Sequence, residues 1–395
     1  MTYVFYFLAS ILMLLSIRSL FSGIDYLRYF KEQLAMPRKP VNARISIIAP
    51  CRGIEPGLRE NLRALMEQDH PAFEVLFVTD SETDEAVPVI DEILSAYQNG
   101  RRVVAPKAVN SGQKVENIRE AVRHISAATD TIAFVDSDAR PAPEWLSNLT
   151  APLCDVSVGI TTGYRWFLPQ HSSFAGELLS AWNASIASAL GRRQKANFCW
   201  GGSMAIRRRN FELLDIRQRL AGTVSDDFTM AAIVKEAGLG IYFVPQALSA
   251  SFVDLTLAGV FEFTTRQMKI TRVYSPGHWL ISLIGSLIFL AAMAWSIYLT
   301  ATGEGFPRVA AIFTLTVVIV LSTAKAWLRM RAVRSAMPRY AGPLRRQMLP
   351  QLTLWLAAPI LFAVNCIAGI FSRTIRWRGI TYEMISAKDT RTDEK

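Results

Sequence analysis

The chain has 395 residues, of which 51% are hydrophobic and only 19% are charged. This balance is typical of membrane proteins and excludes a mostly disordered chain. Neither the four Cys nor the four His have metal-ligand spacing, which argues against a disulfide scaffold and against a catalytic zinc site.

The chain has 43 Lys and Arg against 33 Asp and Glu, and this excess of positive charge is concentrated near the C-terminus. Between Gly305 and Tyr382 there are eleven Lys and Arg and no acidic residue. These basic residues flank apolar runs, which is the pattern of cytoplasmic segments beside membrane spans. A nucleic-acid-binding protein more often carries its basic surface on the folded domain, so no nucleic-acid partner is predicted.

The first predicted element is an apolar helix over 3–21, which we interpret as a membrane anchor within 1–27. A cleaved signal peptide is the alternative. It is disfavoured because the basic residues follow the apolar run, at Arg28, Lys31, Arg38 and Lys39, instead of preceding it. This order predicts an uncleaved anchor whose C-terminal side faces the cytoplasm.

Residues 40–276 form the predicted cytoplasmic catalytic domain, in which strands alternate with helices. The alternation predicts an α/β fold with a mostly parallel sheet and helices on both faces. Asp80 and Asp136 end two of the strands, and they are expected to converge at the carboxyl edge of the sheet, where such folds bind ligands. Strands are predicted at 45–49, 75–78, 102–105 and 131–135, and helices at 57–68, 87–96, 114–127 and 228–237.

Asp136-Ser-Asp138 is the sharpest local motif. Two carboxylates at positions i and i+2 of a turn can bind Mg²⁺ or Mn²⁺ together with phosphate oxygens. Most isolated triplets of this kind are solvated turns, so the motif alone leaves both interpretations open. Its position after a buried strand favours the metal site.

Trp200-Gly-Gly-Ser203 contains two glycines, which are useful where the backbone approaches a ligand or an acceptor. Trp200, Gly201 and Gly202 are therefore candidate acceptor-binding residues. An ordinary tight turn into a strand is the alternative.

Asp226-Asp227 opens a predicted helix. One interpretation is a pair of acids favoured by the helix N-terminus. The other is a general base whose pKa is tuned by its neighbour and by burial.

Arg266 and Lys269 lie three residues apart, just before the next apolar run. On a helix they share one face and can bind a diphosphate. A basic helix that touches lipid headgroups is the equally acceptable alternative.

Three more apolar runs follow. Residues 277–327 are predicted to form two transmembrane helices, followed by a basic cytoplasmic loop at 328–348. A full crossing by 349–372 would place three Arg of the predicted cytoplasmic tail, 373–395, outside. We therefore hypothesise a re-entrant or interfacial element, which its Pro350, Pro359 and Asn365 would favour.

The motifs occur in the order seen in membrane glycosyltransferases of the GT-A fold. The sequence most resembles ceramide glucosyltransferases and their bacterial relatives, including hopanoid-type enzymes (families 2 and 21). The resemblance covers about residues 1–385. It rests on Pro50-Cys-Arg-Gly-Ile-Glu55, Glu74-Val-Leu-Phe-Val-Thr-Asp-Ser81, Asn110-Ser-Gly-Gln-Lys114, Phe134-Val-Asp-Ser-Asp138, Gly201-Gly-Ser203, Ser225-Asp-Asp227 and Trp377-Arg-Gly-Ile-Thr-Tyr382.

The resemblance implies roles for individual residues of the donor site. Asp80 matches the aspartate that contacts the nucleotide, and Arg52, Glu55 and Lys114 lie in segments that line the uridine and diphosphate pocket. Asp136 matches the second family aspartate, and together with Asp138 it resembles a metal pair.

Asp227 matches the third family aspartate, the catalytic base, with Asp226 as the second candidate for that role. Arg266 and Lys269 fall on a basic-x-x-Arg-Trp motif that would add positive charge to the leaving group. Ile270 stands where the family has tryptophan, a departure that argues against long-chain polymerisation.

The resemblance implies an inverting enzyme that moves one sugar from a UDP-sugar, UDP-glucose first, to the hydroxyl of a membrane lipid such as ceramide. The cofactor would be Mg²⁺ or Mn²⁺, and anionic lipid headgroups would bind the basic loop. The expected location is a bacterial-type inner membrane, with sphingolipid or other glycolipid synthesis as the process. A diacylglycerol or hopanoid acceptor, a processive polysaccharide synthase, a non-enzymatic scaffold and a transporter are the alternatives, and oligomeric state has no sequence signal.

Overall fold

The computed structural model describes residues 2–36 and 42–394. Arg38, Lys39, Lys395 and the predicted domain start at residue 40 lie outside this range. The strands are β1 (Ile45–Pro50), β2 (Phe73–Thr79), β3 (Gly100–Val104), β4 (Thr131–Val135), β5 (Ala139–Arg140), β6 (Val158–Pro169), β7 (Ser203–Arg207), β8 (Gly240–Val253), β9 (Thr374–Trp377), β10 (Ile380–Ser386) and β11 (Asp389–Glu394).

A helix is present at each of the four helical segments predicted in the domain, but the one predicted at 114–127 ends at Ala121, and several short helices are added. The helices are α1 (Thr2–Ala35), α2 (Leu58–Met66), α3 (Val87–Ala96), α4 (Gln113–Ala121), α5 (Trp145–Thr150), α6 (Phe174–Ala187), α7 (Arg208–Leu213), α8 (Ile216–Arg219), α9 (Asp226–Glu236), α10 (Leu257–Tyr274), α11 (Pro276–Thr302), α12 (Gly305–Ala336), α13 (Ala341–Arg346), α14 (Met348–Thr353) and α15 (Ala358–Phe371).

The chain divides into two compact units. The helical unit contains Met1–Glu32, His171–Ala189 and Leu255–Ser372. The α/β unit contains Gln33–Gln170, Leu190–Asp254 and Arg373–Lys395. Two segments therefore group differently from the predicted boundaries: α6 belongs to the helical unit, and the predicted tail 373–395 belongs to the α/β unit.

The α/β unit is built on an eight-stranded sheet in the order β3-β2-β1-β4-β7-β6-β8-β5. The first four strands of this order are parallel, as the alternation of strands and helices predicts. β7 is antiparallel to β4 and β6, while β6 and β8 are parallel again. The strands β1 and β4 are almost continuously buried, which is typical of strands covered on both faces.

Apolar stripes on α4 and α9 fix those helices against the sheet. Val115 and Ile118 of α4 and Met230 and Ile233 of α9 join one core cluster with strand residues such as Phe134. Residues three or four apart share a helix face, and burying each large apolar side chain stabilises the fold by roughly 1.5–3 kcal/mol. This packing sets the positions of the N-termini of α4 and α9, which carry Lys114 and Asp226.

The C-terminal residues form a second, three-stranded antiparallel sheet in the order β11-β10-β9. Ile375, Ile380, Tyr382 and Met384 are buried, so alternating side chains of this sheet pack inward. The segment predicted as a tail is thus a folded part of the α/β unit.

Three helices of the helical unit are long and apolar enough to span a membrane, namely α1, α11 and α12. They contain the predicted spans 3–21, 278–301 and 307–327. Leu12, Met293 and Val318, one from each helix, pack in a shared cluster, while Phe7, Ile281 and Phe313 remain exposed. Apolar exposure of this kind fits a membrane protein.

Residues 348–371 form a bent pair of helices, α14 and α15, that meet at 53° and represent either a broken span or a re-entrant loop. A 3₁₀ turn, Leu354–Leu356, separates them, and Pro359 lies in the first turn of α15, where a missing N–H costs least. The re-entrant interpretation stays a prediction. The preceding basic segment is largely helical, because α12 continues to Ala336.

Candidate active site

Two aspartates of the α/β unit lie directly after strands of the parallel part of the sheet. Asp80 follows β2 and Asp136 follows β4, with β1 between these strands. Because the three strands are parallel, both side chains stand at the carboxyl edge, where open α/β sheets bind ligands.

Lys114 joins two carboxylates at this edge. It lies in the first turn of α4, and its Nζ is 2.7 Å from Asp136 Oδ1 and 3.1 Å from Asp226 Oδ1. Burial disfavours the charged amine, but the two carboxylates outweigh this effect and raise the pKa of Lys114. One cation thus connects the end of β4 to the start of α9.

Arg165 of β6 is a second cation in the cluster, and it is not among the predicted site residues. Its Nη2 lies 3.1 Å from Asp136 Oδ2 and its Nη1 lies 3.2 Å from Asp138 Oδ2. The guanidinium also lies over the Trp200 ring, 4.6 Å from the ring centroid. The sequence signal is a single charge inside a long, mostly buried strand.

The two carboxylates of the Asp136-Ser137-Asp138 turn have opposite pKa shifts. Burial favours the protonated acid at both positions, but Lys114 and Arg165 outweigh it at Asp136 and lower the pKa there. At Asp138 burial prevails over Arg165 and the pKa is raised. Asp138 Oδ1 is buried and accepts no hydrogen bond from the described residues, which leaves an acceptor for a bound ligand.

These two carboxylates fit a divalent cation that also binds a diphosphate. Mg²⁺ in nucleotide sites is usually held by one or two carboxylates plus phosphate oxygens and water. Across residues 2–36 and 42–394, no group of three or more His, Cys, Asp or Glu side chains is arranged to hold a metal by itself. Metal binding by Asp136 and Asp138 therefore stays a prediction, and it requires oxygens from the donor.

Asp226 and Asp227 begin α9, and their environments differ. Asp226 is buried, and this burial raises its pKa to about 6 although Lys114 opposes the shift. Asp227 is half-buried; its Oδ1 accepts hydrogen bonds from Ser225 Oγ and from Phe228 N at 2.7 Å. Among the described residues, Asp227 Oδ2 makes one long contact, 3.5 Å from Gly201 N. Its role as the catalytic base stays a prediction.

Two glycines let the backbone pass close to the charged cluster. A Cβ atom at Gly201 would lie 2.5 Å from Asp226 Oδ2 and 2.7 Å from Lys114 Nζ. At Gly202 it would collide with the Trp200 ring and lie 2.6 Å from Asp136 Oδ2. The close approach explains why the turn after Trp200 requires glycine. An acceptor role for these residues stays a prediction.

Asp80 is held by two cations. Arg52, which follows β1, forms an ion pair with Asp80 Oδ2, and Lys107 Nζ lies 3.2 Å from the same oxygen. Only 2% of the Asp80 side chain is exposed, so the two cations balance a buried charge. Lys107, like Arg165, is absent from the predicted set.

Glu55 is buried and forms an ion pair with Arg378 in the turn between β9 and β10. Ser137 Oγ donates a hydrogen bond to Glu55 Oε1 at 3.2 Å. The predicted site residues of the α/β unit therefore fall into two groups joined at Ser137. One contains Arg52, Glu55 and Asp80, and the other contains Lys114, Asp136, Asp138, Trp200, Gly201, Gly202, Asp226 and Asp227.

Arg266 and Lys269 lie on α10 of the helical unit. The guanidinium of Arg266 is 5.2 Å from the centroid of the Phe263 ring, and burial lowers the pKa of Lys269. Their assignment to the diphosphate stays a prediction.

The sequence is similar to those of known glycosyltransferases. The profile of Glycosyl transferase family 21 matches residues 9–389. An N-acetylglucosaminyltransferase of Rhizobium leguminosarum bv. viciae is 27% identical over 324 residues, 75% of this chain and 74% of that protein. A ceramide glucosyltransferase of Komagataella phaffii (strain GS115 / ATCC 20864) is 26% identical over 73 residues, 18% of this chain and 14% of that one.

Among solved structures, the mannosyltransferase PcManGT from Pyrobaculum calidifontis, in complex with GDP-Man and Mn²⁺, aligns with a TM-score of 0.45 and 17% identity, over 91% of this chain and 99% of that one. The predicted family and the GT-A-like mixed sheet with apolar helices are confirmed by the profile match and by the sheet itself. The chain belongs to Glycosyl transferase family 21 and is a glycosyltransferase that acts on a nucleotide sugar.

Proposed function

We propose that this enzyme transfers one sugar, with inversion, from a UDP-sugar to the hydroxyl of a membrane lipid, with UDP-glucose and ceramide as the first pair to test. The observation that carries the proposal is the cluster of Lys114, Asp136, Asp226 and Asp227 at one edge of the sheet. It combines cations for a diphosphate with a carboxylate oxygen available for a proton.

In the proposed step, Asp227 Oδ2 accepts the proton of the lipid hydroxyl as its oxygen attacks the anomeric carbon of the sugar. The bond from that carbon to the diphosphate oxygen breaks on the opposite face, which inverts the configuration, and UDP departs with the electron pair. Ser225 Oγ and Phe228 N hold the other oxygen of Asp227 and so fix its orientation.

Lys114 and Arg165 provide the positive charge that the departing diphosphate requires, because both guanidinium and amine groups are already fixed beside Asp136. A divalent cation held by Asp136 and Asp138 would neutralise further negative charge on the diphosphate. Arg266 and Lys269 are proposed to add to this field.

A lipid acceptor is supported by the three apolar helices, which would keep the chain at a bilayer where lipid hydroxyls are concentrated. We propose a multi-pass protein of the inner membrane with the α/β unit in the cytoplasm. The orientation follows from the exposed basic residues in the last turns of α12 and in the segment after it. They are Arg331, Arg334, Arg339, Arg345 and Arg346, whereas Arg329 is buried.

UDP-N-acetylglucosamine is the second donor to test, since the relative that matches three quarters of this chain is an N-acetylglucosaminyltransferase. Membranes containing the enzyme would be given each UDP-sugar with ceramide, diacylglycerol or a hopanoid alcohol, and the lipids analysed by mass spectrometry. One sugar on one lipid is expected, whereas a long insoluble polymer would indicate a processive synthase.

The base is tested with Asp227→Asn beside the exposed Asp155→Asn as a matched control in the same unit. General-base catalysis is typically worth about 10²–10⁴-fold, so Asp227→Asn is expected to lower product formation by that factor at equal protein levels. The control should match the wild type. Unaltered turnover in Asp227→Asn would remove Asp227 from the mechanism, and Asp226→Asn would then be tested in its place.

Anionic lipid binding is tested in vesicles of phosphatidylglycerol or of neutral lipid. Each exposed Arg near an anionic surface is worth about 1 kcal/mol, so wild-type activity should be higher on the anionic vesicles. The variant neutralises Arg331, Arg334, Arg345 and Arg346, and the matched control neutralises Arg63, Arg193, Lys195 and Arg209, all exposed in the α/β unit. Equal lipid dependence of the two variants would contradict the proposal.

A further inference from the structure

The turn between β9 and β10 has an unusual residue for its backbone. Arg378 and Gly379 connect the two strands, with φ of 52° and 79°. Two-residue hairpin turns with both φ values positive favour Asn-Gly or Asp-Gly, because a residue with a long side chain is disfavoured in the left-handed region. An arginine held there against that preference is a candidate for a specific contact.

Arg378 and Arg52 form a reciprocal contact. Arg52 Nε donates to the Arg378 carbonyl at 3.1 Å, and Arg378 Nη1 donates to the Arg52 carbonyl at 3.2 Å. The Arg52 guanidinium also forms the ion pair with Asp80. The turn therefore fixes both the backbone and the side-chain direction of a residue in the loop after β1.

The same arginine reaches the Asp136-Ser137-Asp138 turn through one side chain. Arg378 pairs with Glu55, and Glu55 Oε1 accepts the hydrogen bond from Ser137 Oγ. Asn61 Nδ2 donates to the Ser137 carbonyl at 3.0 Å, so the middle residue of the turn is held from both sides. Glu55 Oε2 is buried and makes no hydrogen bond to the part of the chain that the structure describes.

The three-stranded C-terminal sheet is anchored independently of Arg378. Gln113 N, next to Lys114, donates to Tyr382 Oη at 3.3 Å, and Thr392 Oγ1 donates to the Ser111 carbonyl at 3.1 Å. Tyr382 and Met384 are buried. A change at Arg378 should therefore leave the sheet folded while removing its contact with the donor-site loop.

We propose that Arg378 is a positioning residue of the donor site. It holds Arg52 and Glu55 in place and, through Glu55, the turn that carries Asp136 and Asp138. Arg378 itself makes no bond that changes in the reaction, so its loss should weaken donor binding more than it slows the chemical step. This inference rests on the proposed UDP-sugar donor.

The test variant is Arg378→Asn, because asparagine suits the left-handed turn and removes the guanidinium. A charge-assisted hydrogen bond is worth about 1.5–3 kcal/mol, equivalent to roughly 10–100-fold in affinity. The dissociation constant of the UDP-sugar and its KM should therefore rise at least about tenfold. We expect kcat to change less than about threefold. The melting temperature should fall slightly, because the buried Glu55 loses its counter-charge, but a cooperative unfolding transition should remain.

Arg376→Asn is the matched control, since it removes one exposed positive charge from β9, two residues away. It should bind donor like the wild type. Arg378→Lys keeps a charge for Glu55 and should restore part of the affinity. Combined with Glu55→Gln, Arg378→Asn should add little to the single effects, because both interrupt the same connection.

The outcomes separate this inference from the proposed function. If the wild type binds the UDP-sugar and Arg378→Asn binds it equally well, or if Arg376→Asn is as impaired as Arg378→Asn, the positioning role is wrong and the function stands. If the wild type binds no UDP-sugar by calorimetry, the proposed donor is wrong.

Discussion

The two units of the molecule stabilise buried charged side chains in different ways. In the α/β unit, Lys114 and Arg165 are neutralised by aspartates, and buried oxygens of Asp138 and Asp226 still lack a partner among the described residues. In the helical unit, Arg329 donates to Ser188 Oγ at 3.4 Å and to Gln351 Oε1 at 3.1 Å, which are neutral groups.

A chain of amides and hydroxyls, together with the carboxyl group of Glu177, continues this arrangement and is called the amide network below. Gln347 Nε2 donates to Glu177 Oε2 at 3.2 Å and to Ser180 Oγ at 3.0 Å, and Gln351 Nε2 donates to Ser180 Oγ at 3.0 Å. Neutral partners satisfy hydrogen bonds without creating a strong local field. The contrast indicates that the ionic cluster is arranged to receive a charged ligand, whereas the amide network fixes how α6, α12 and α14 pack together.

The largest expected effect comes from removing the central cation of the ionic cluster. Lys114→Met would leave Asp136 and Asp226 without their shared partner, and breaking a buried ion pair costs about 3–5 kcal/mol. We expect a lower melting temperature and activity reduced at least about a hundredfold, measured by thermal unfolding in detergent and by product formation.

Lys235→Met on α9 is the control for Lys114→Met, because it deletes an exposed amine from the same unit. It should change neither quantity appreciably. A Lys114→Met protein with wild-type melting temperature and donor affinity would show that the cluster is not electrostatically coupled, and the comparison between the units would fail.

Acidity should act on the ionic cluster through Asp226. Its pKa is raised to about 6 by burial, with Lys114 opposing and the neighbouring Asp227 and Asp136 reinforcing the shift. As pH falls from 7.5 to 5, Asp226 gains a proton, and the pocket becomes more positive by one charge. A UDP-sugar keeps its diphosphate charge over this range, so it should bind more tightly at pH 5, by up to about tenfold.

Calorimetric titration of the UDP-sugar at pH 5, 6 and 7.5, at one Mg²⁺ concentration, measures this effect. Asp226→Asn should bind at pH 7.5 as the wild type does at pH 5 and should show little pH dependence. If the variant keeps the full wild-type pH profile, another group is responsible for it.

The sequence predicts those site residues that follow local patterns. Asp80 and Asp136 come directly after apolar runs, so periodicity alone places these two residues at one edge of a parallel sheet. Lys114 is predicted through the family resemblance, and Asp226 through its place at the start of a helix. The position of Arg165 depends on the pairing of β6 with β8, and the paired residues of these strands lie about 80 positions apart in the chain. No local pattern encodes such a pairing, since its register depends on tertiary packing.

The C-terminal sheet shows a signal that remained unused in the prediction of a tail. Ile375 and Trp377 precede Arg378-Gly379, and Ile380, Tyr382 and Met384 follow at alternate positions, a pattern typical of a hairpin. What the sequence does not reveal is where this hairpin packs. Tyr382 of the hairpin contacts Gln113, 269 positions away, and Thr392 of the adjoining β11 contacts Ser111, 281 positions away.

The smallest expected effect is that of Glu177→Gln in the helical unit, and it contrasts with the same substitution in the α/β unit. Glu177 is buried in the amide network, and burial raises its pKa. Glu177→Gln keeps the shape and the hydrogen-bonding capacity while removing a charge that is costly to bury, so stability should change by less than about 1 kcal/mol or increase. Product formation should stay within about twofold of the wild type.

Glu55→Gln is the same substitution in the α/β unit, where Glu55 pairs with Arg378. It removes the counter-charge of Arg378, whose side chain is 34% exposed, and weakens the connection to Ser137, so the KM for the donor is expected to rise about tenfold. Steady-state kinetics of the two variants, measured side by side, test whether buried carboxylates serve different purposes in the two units. Equal effects on the KM would mean that the ionic cluster and the amide network do not differ in function.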